Sequence, residues 1–159
     1  MIELKKYKEE FFNALNSYNL DKNQRNFTAS LDFCLNERKD LEDLHKTLVT
    51  ILFNDYPVGF FVLDKGEDKY KLTENSEAIL LRSLSINPEY QGKGIGKQSM
   101  RLVKEFIKEN IPQINEIFLS VNLKNKNAYY TYRKAGYVDE NKIVFGLKGP
   151  QNVLIMIIS

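Results

Sequence analysis

The chain has 159 residues, of which 43% are hydrophobic and 28% charged. This is the size and balance of one ordinary globular domain spanning residues 1–159, and it excludes disorder, low-complexity fibre and a pair of full-sized domains. Basic residues outnumber acidic ones by 23 to 21, and the resulting net charge of +2 is too mild to mark a nucleic-acid or membrane-surface protein.

With one cysteine, Cys34, and one histidine, His45, the sequence supplies neither a disulfide framework nor a zinc site of ordinary composition. A Ser-His-Asp or Cys-His catalytic set would have to be built on His45, which is expected to be a surface or internally satisfied imidazole. Cys34 lies among helix apolars and is expected to behave as a small hydrophobe. The N-terminus is charged from Glu3 onward, and the longest apolar runs, Leu48–Phe53 (broken by Thr50) and Val153–Ile158, are far too short for a membrane span. The expectation is a soluble cytoplasmic protein without metal, nucleic-acid or membrane partners. Charge is unevenly spread: residues 1–88 carry 12 basic and 15 acidic side chains, residues 89–159 carry 11 and 6. A basic second half suits an anionic ligand, although a solvated face explains such a difference equally well.

In chain order, Ile2–Tyr7 alternates as a short strand. Phe11, Phe12 and Leu15 recur at helical spacing and predict a helix over Lys8–Tyr18. Asn19–Asn26 is polar and reads as a loop. Ser30 can cap a second helix, Leu31–Arg38. Leu44–Phe53 and Val58–Leu63 read as strands joined through Asn54-Asp55-Tyr56-Pro57, a β-hairpin. Asp64–Ser76 reads as a mobile loop. Ala78–Ile86 is a strand, stopped by Asn87-Pro88-Glu89-Tyr90, and a glycine loop over Gly92–Gly96 leads into a helix, Lys97–Asn110. A strand (Ile114–Val121), a short helix (Asn125–Ala135) closed by Gly136, and a hairpin of Tyr137–Leu147 with Gln151–Ile158 complete a mixed α/β domain built on one sheet.

The glycine loop carries the most information. Glycines let the backbone approach a ligand closely, and the start of a helix offers N–H groups without internal partners, a match for phosphate oxygens. A Walker loop would need a glycine where Gln91 stands and a hydroxyl where Gln98 stands. A dinucleotide fingerprint would need G-x-G-x-x-G in the first βα unit, whereas this loop reads G-x-G-x-G past mid-chain. A third pattern fits. Gln91-Gly92-Lys93-Gly94-Ile95-Gly96, after Leu84-Ser85-Ile86-Asn87-Pro88, resembles the Q/R-x-x-G-x-G/A signature of the GNAT superfamily of N-acetyltransferases. Asn125 to Tyr137, with Ala128, Tyr132 and Gly136 in place, resembles that family's N-x-x-A-x-x-x-Y-x-x-x-G-F/Y segment. The two motifs occur in the right order over residues 78–137.

The resemblance implies a single, mostly antiparallel, splayed sheet flanked by helices. It implies acetyl-coenzyme A as cosubstrate, with the pyrophosphate on the backbone of Gly92, Lys93, Gly94, Ile95, Gly96 and Lys97, Gln91 packed beneath the turn, and the pantetheine arm against Leu84, Ser85 and Ile86 and bonded by Asn125. It implies a general-acid role for Tyr132, protonating the departing thiolate; the plainer reading is packing on a helix face shared with Ala128 and Ala135. Lys93, Lys97, Arg101, Lys124, Lys126 and Arg133 either screen phosphates or are simply solvated. Many members place a carboxylate base on the strand before the loop, but Ala78–Ile86 has none. Glu77 lies nine residues before Ile86, roughly 30 Å along an extended strand. A water chain or an acid from the first two helices is the expected base.

Arg82 sits mid-strand, on the face of Leu84 and Ile86 by simple alternation. It is expected to pair with a structural carboxylate or, instead, to face the acceptor pocket and bind a substrate carboxylate or phosphate. The function expected is direct acetyl transfer to a primary amine of a small molecule or peptide, by a monomer or homodimer. The alternatives are a coenzyme A-binding sensor that has lost catalysis, and an acyltransferase using another acyl chain or acceptor.

Overall fold

A computed structural model of the chain describes residues 1–158. Seven strands form one sheet: β1 (Ile2–Lys6), β2 (Lys46–Phe53), β3 (Tyr56–Asp64), β4 (Ala78–Ile86), β5 (Glu116–Asn122), β6 (Val138–Gly146) and β7 (Gly149–Ile157), in the spatial order β1-β2-β3-β4-β5-β7-β6. Every neighbouring pair is antiparallel except β4 and β5. The β2–β3 connection is the expected hairpin, tighter than the sequence suggests. Asn54 and Asp55 both take left-handed φ angles of 49° and 69°, the two-residue turn whose twist matches antiparallel strands. Tyr56 and Pro57 therefore already belong to β3.

Strand alternation gives the sheet two apolar faces. Val49, Ile51, Phe61, Leu63, Ile79, Leu81, Ile117, Leu119 and Leu154 pack against helix α3 (Ile95–Asn110) and helix α4 (Lys126–Lys134). The residues that α3 buries, Ile95, Ser99, Met100, Val103, Phe106 and Ile107, recur at three- to five-residue intervals, so one stripe of the helix meets the sheet. On the opposite face Leu48, Phe60 and Val62 are covered by Leu15, Leu31 and Cys34, and Leu80, Phe118, Val153 and Ile155 by Leu72.

The covering segment of residues 9–42 departs most from expectation. The helix predicted over Lys8–Tyr18 is a 3-10 turn, Glu9–Phe11, continued by one α-helical turn, α1 (Phe12–Leu15). It ends at Leu15, where the Ser17 hydroxyl donates to the Ala14 carbonyl and satisfies one of the last carbonyls of the turn. The predicted loop Asn19–Asn26 contains a second short helix, α2 (Lys22–Arg25), capped by Asp21, whose Oδ1 accepts from the Gln24 N–H at 2.8 Å. Ser30 caps as expected, accepting from Phe33 N–H at 3.1 Å, but the following turn, Phe33–Glu37, is π-helical and closes with Arg38 N–H donating to Phe33 O.

Asp64–Ser76 is pinned, not loose. It holds a 3-10 turn (Glu67–Lys71), buries Leu72, and ties the Lys69 ammonium to the carbonyls of Ser76 and Ala78 at 2.6 and 3.0 Å. No helix among the described residues is long and apolar enough to cross a membrane.

Gly59 on β3 permits a close strand contact. A Cβ there would run into the Ser85 carbonyl oxygen of β4. Gly59→Ala is therefore expected to push β3 from β4 and to destabilise the protein by about 1–3 kcal/mol, read as a lower midpoint in urea unfolding.

Candidate active site

The site begins where two strands part. β4 and β5 pair in parallel only at Ala78–Glu116, Ile79–Ile117 and Leu80–Phe118. Beyond Leu80 and Phe118 they diverge, yet neither frays. β4 stays bonded to β3 as far as Ile86–Gly59, and β5 to β7 as far as Asn122–Gln151. The result is a wedge-shaped slot between the carboxyl-terminal ends of two parallel strands, whose facing backbone edges have no sheet partner.

Both strands then lead into helices whose N-termini flank the mouth of the slot. After β4 the chain makes a short turn (Pro88–Tyr90) and enters the glycine loop. Gly92 and Gly94 adopt left-handed φ angles of 75° and 80°, and Gly94 caps α3. A Cβ on Gly92 would meet nothing within 4 Å, so the glycines leave the outer side of the loop open. Gly96 serves packing: a Cβ there would lie 3.2 Å from Ile86 Cδ1 and 3.4 Å from Thr131 Cγ2, where β4, α3 and α4 meet. Gln91 lies under the turn, and its Nε2 donates to the Ile86 carbonyl at 2.7 Å. After β5, Asn125 caps α4 with Oδ1 facing the Ala128 N–H, which leaves its amide nitrogen free to donate. Two helix dipoles thus present positive ends beside one opening, a setting for phosphate oxygens.

Tyr132 lies on α4 in the core that α4 shares with the sheet, and only 7% of it is exposed. Its ring meets Tyr137 edge to face, with centroids 5.6 Å apart. Burial raises its hydroxyl pKa well above the ordinary value, so it stays protonated at neutral pH. Among the described residues that hydroxyl has no hydrogen-bond partner, whereas the hydroxyls of Tyr18, Tyr129 and Tyr137 bond Ser85, Asp139 and the Met100 carbonyl. Of the cations that could screen phosphates, Arg101 and Arg133 donate to the carbonyls of Lys134 and Tyr137, and Lys93 lies over the Tyr90 ring at 5.5 Å.

Arg82 does not share a face with Leu84 and Ile86. Ser83 adopts φ 63° inside β4, a one-residue bulge that breaks the alternation. Leu84 and Ile86 pack toward α3, while Arg82 lies opposite Val62 on the other face. There it donates to Asp68 at 2.8 Å and approaches Asp64 at 3.4 Å. The hydrogen bond from Arg82 holds the Asp68 carboxyl below the usual carboxylate range. His45 is exposed, as expected. Cys34 is fully buried, and burial pushes its thiol up to about 11, consistent with an inert hydrophobe.

The comparisons with known proteins converge on one family. Residues 7–137 match the model of the acetyltransferase (GNAT) family. The chain belongs to that family. Membership makes it an acyltransferase. It is 34% identical to the uncharacterized N-acetyltransferase YbbJ of Bacillus subtilis (strain 168) over 154 residues, 96% of this chain and 95% of the relative. It is 26% identical to the spermidine N(1)-acetyltransferase of Escherichia coli (strain K12) over 113 residues, 68% of this chain and 56% of that one. Among solved structures, the fold matches aminoglycoside acetyltransferase AAC(6')-Ib in complex with coenzyme A and kanamycin, with a TM-score of 0.80 at 17% identity over 99% of this chain and 95% of that one. It also matches the Vibrio cholerae spermidine N-acetyltransferase in complex with coenzyme A and spermine, with a TM-score of 0.72 at 16% identity over 99% and 95% of the two chains.

The family motifs account for the α3 and α4 sides of the slot. They say nothing of the N-terminal segment, which reaches the same strand from the other face. The Thr28 hydroxyl donates to the Leu84 carbonyl at 3.0 Å, the Tyr18 and Ser85 hydroxyls bond at 2.9 Å, and Gln24 and Gln91 exchange amide hydrogen bonds. Only the Asp21 cap of α2 gave a local signal for any of these. The Arg82 ion pairs generate a testable outcome. Arg82→Ala leaves the buried Asp64 carboxylate with less compensation, so it is expected to lower stability by about 1–3 kcal/mol and the melting temperature with it, measured by calorimetry.

Proposed function

We propose that the chain transfers an acetyl group from acetyl-coenzyme A directly to a primary amine of a small molecule or peptide. The observation that carries this reading is the slot itself, where β4 and β5 cease to pair with each other and a glycine loop opens α3, with the unpartnered Tyr132 hydroxyl on the neighbouring α4. An extended, amide-rich arm can add to a bare strand edge as an extra strand, and Leu84, Ser85 and Ile86 supply that edge with Asn125 donating from the opposite side. The N–H groups of Gly92 to Lys97 suit the pyrophosphate, and the left-handed glycines keep side-chain atoms out of its way.

The chemistry follows from the same groups. The neutral amine attacks the thioester carbonyl carbon, forming the new C–N bond, and a backbone N–H of β4 near Leu84–Ile86 stabilises the negative charge that develops on oxygen. The C–S bond breaks, Tyr132 gives its proton to the departing sulfur, the amine proton leaves to solvent, and Tyr132 regains a proton from solvent before the next turnover. No strand carboxylate stands ready as base. Both buried acids among the described residues are committed: Asp64 accepts from Gly66 N–H and Arg82, and at Asp40 burial pushes the carboxyl up, but hydrogen bonds from Arg38 and Lys46 outweigh that and hold it low. Deprotonation through water, or capture of the small neutral fraction of the amine, fits this setting. The spermidine and aminoglycoside substrates of relatives make polyamines and aminosugars the first acceptors to screen, because the one cation on β4, Arg82, is already balanced by Asp64 and Asp68.

Acetyl-coenzyme A at a hundred times its dissociation constant is expected to stabilise the protein by about 2.7 kcal/mol, with no comparable shift from ATP or NAD. In Gly94→Val that shift should disappear, because valine resists the left-handed φ of the cap. Thiol release with a panel of amines tests transfer itself; binding without release from any amine identifies a sensor. Tyr132→Phe should lower kcat about 100-fold, the low end for a general acid because a thiolate leaves fairly well unaided, with the coenzyme A dissociation constant within twofold. Since burial raises the Tyr132 pKa above its ordinary value, the wild-type rate should show no alkaline downturn from loss of this acid below about pH 10. A downturn there that is absent in Tyr132→Phe would contradict the raised pKa while leaving Tyr132 as the acid.

A further inference from the structure

The bulge at Ser83 is the one point where β4 departs from a regular strand, and it lies three residues past Leu80, the last residue paired with β5. A left-handed φ is unfavourable for a serine, and the neighbouring strand would regain regular pairing if the residue relaxed to an extended conformation. Something must therefore hold it.

The holding contact comes from outside the sheet. Arg38, just after the π-helical turn, donates from Nη2 to the Ser83 hydroxyl at 2.9 Å. The guanidinium is itself fixed by Asp40, through Nε at 2.8 Å and Nη2 at 2.7 Å, and Asp40 is fully buried and also takes a hydrogen bond from Lys46 at 3.2 Å. Geometry makes this bond selective for the bulge. In a regular strand, consecutive side chains point to opposite faces, so Arg82 and Ser83 could not both serve partners on the face away from α3. Here Arg82 bonds Asp68 and Ser83 bonds Arg38 on that one face, and Leu84 then turns to the other. Relaxing Ser83 would break the Arg38 bond and invert which backbone N–H groups from residue 83 onward face the slot.

We infer that Arg38, locked by Asp40 and Lys46, is a positioning residue that holds the β4 bulge through Ser83 and so fixes which N–H groups of the strand meet the thioester carbonyl. Its catalytic consequence rests on the acetyl-transfer reading given above; its structural consequence does not. Arg38 touches no reacting atom. It acts through Ser83.

Two measurements test it separately. Kinetically, Ser83→Ala keeps the Arg38–Asp40 pair intact and removes the hydroxyl, and should lower kcat ten- to a hundredfold with the acetyl-coenzyme A KM within twofold, since an ångström of misplacement costs about that much. Ser83→Asn, which tolerates a left-handed φ and offers an acceptor oxygen, should recover most of the loss. Arg38→Ala combined with Ser83→Ala should be no slower than the slower single variant, because one interaction is removed twice. Wild-type kcat in Ser83→Ala, or multiplying losses in the double variant, overturns the inference. Spectroscopically, the Cα and Cβ chemical shifts of residue 83 should report a left-handed conformation in the wild type and an extended one in Arg38→Ala, with displaced amide signals at Leu84 and Ser85. If Arg38→Ala does not fold because Asp40 is stranded, Arg38→Gln with Asp40→Asn takes its place. Left-handed shifts that persist without Arg38 overturn the inference whether or not any amine is acetylated. A wild type that releases no thiol from any amine fails the functional reading, and the chemical shifts still decide the role of Arg38.

Discussion

The structure turns on the parting of β4 from β5 after Leu80 and Phe118. Parallel strands with unmet backbone groups normally close up, because an unpaired N–H or carbonyl shielded from water carries a penalty comparable to a lost hydrogen bond. Here closure is prevented from outside the pair. β4 is drawn toward β3 by the Gly59 contact with Ser85, and β5 toward β7 by a ladder that runs unbroken to Asn122. Ile86, Gly96 and Thr131 fill the angle between strand and helices so tightly that a Cβ on Gly96 would sit within 3.4 Å of both neighbours. The two strands do not pair across the slot because the packing on each side leaves them no freedom to meet, and side chains take up the Leu84 and Ile86 carbonyls instead.

The face away from α3 solves a different problem. Arg38, Asp40, Lys46, Asp64 and Arg82 are largely withdrawn from water there, and charges so placed are tolerated only in pairs. A packed apolar layer would serve stability at least as well, but it would not distinguish a bulged strand from a regular one. A guanidinium with fixed direction does, since its donors reach Ser83 only when that residue stands on the same face as Arg82. The same carboxylate that holds Arg38 is thereby committed to that guanidinium and to Lys46.

What the sequence disclosed, and what it withheld, divides along contact range. The glycine loop, the α3 stripe and the hairpin of β2 and β3 are set by residues within a few positions of one another, and each was legible, although the turn read as Asn54-Asp55-Tyr56-Pro57 closes in two residues. The helix over Lys8–Tyr18 was overextended because Phe11, Phe12 and Leu15 give a helical stripe that ends at Leu15 and that Tyr18 abandons for Ser85, 67 residues away. The loop Asp64–Ser76 looked loose because its anchors, Lys69 to Ala78 and Asp68 to Arg82, are polar residues whose partners lie on another strand. Arg82 was given the wrong face because alternation assumes a regular strand, and nothing in Leu81-Arg82-Ser83-Leu84 announces that Ser83 takes a left-handed φ.

Tyr132 shows how a motif and a structure narrow the same choice from different directions. The chain has nine tyrosines, and a phenol hydroxyl withdrawn from water ordinarily finds a partner. Tyr18, Tyr129 and Tyr137 have found theirs. Tyr7 is buried without one, but it lies against the Leu15–Leu31 cluster on the face away from α4. Among the described residues two phenols on α4 are unpartnered, Tyr130 and Tyr132, and of these Tyr130 is exposed and Tyr132 buried. In the proposed transfer burial weakens Tyr132 as an acid, and a thiolate formed in the same surroundings would be the stronger base for it. A hydroxyl already bonded to a carbonyl or carboxylate would have to give up that bond before donating. Tyr132 has nothing to give up.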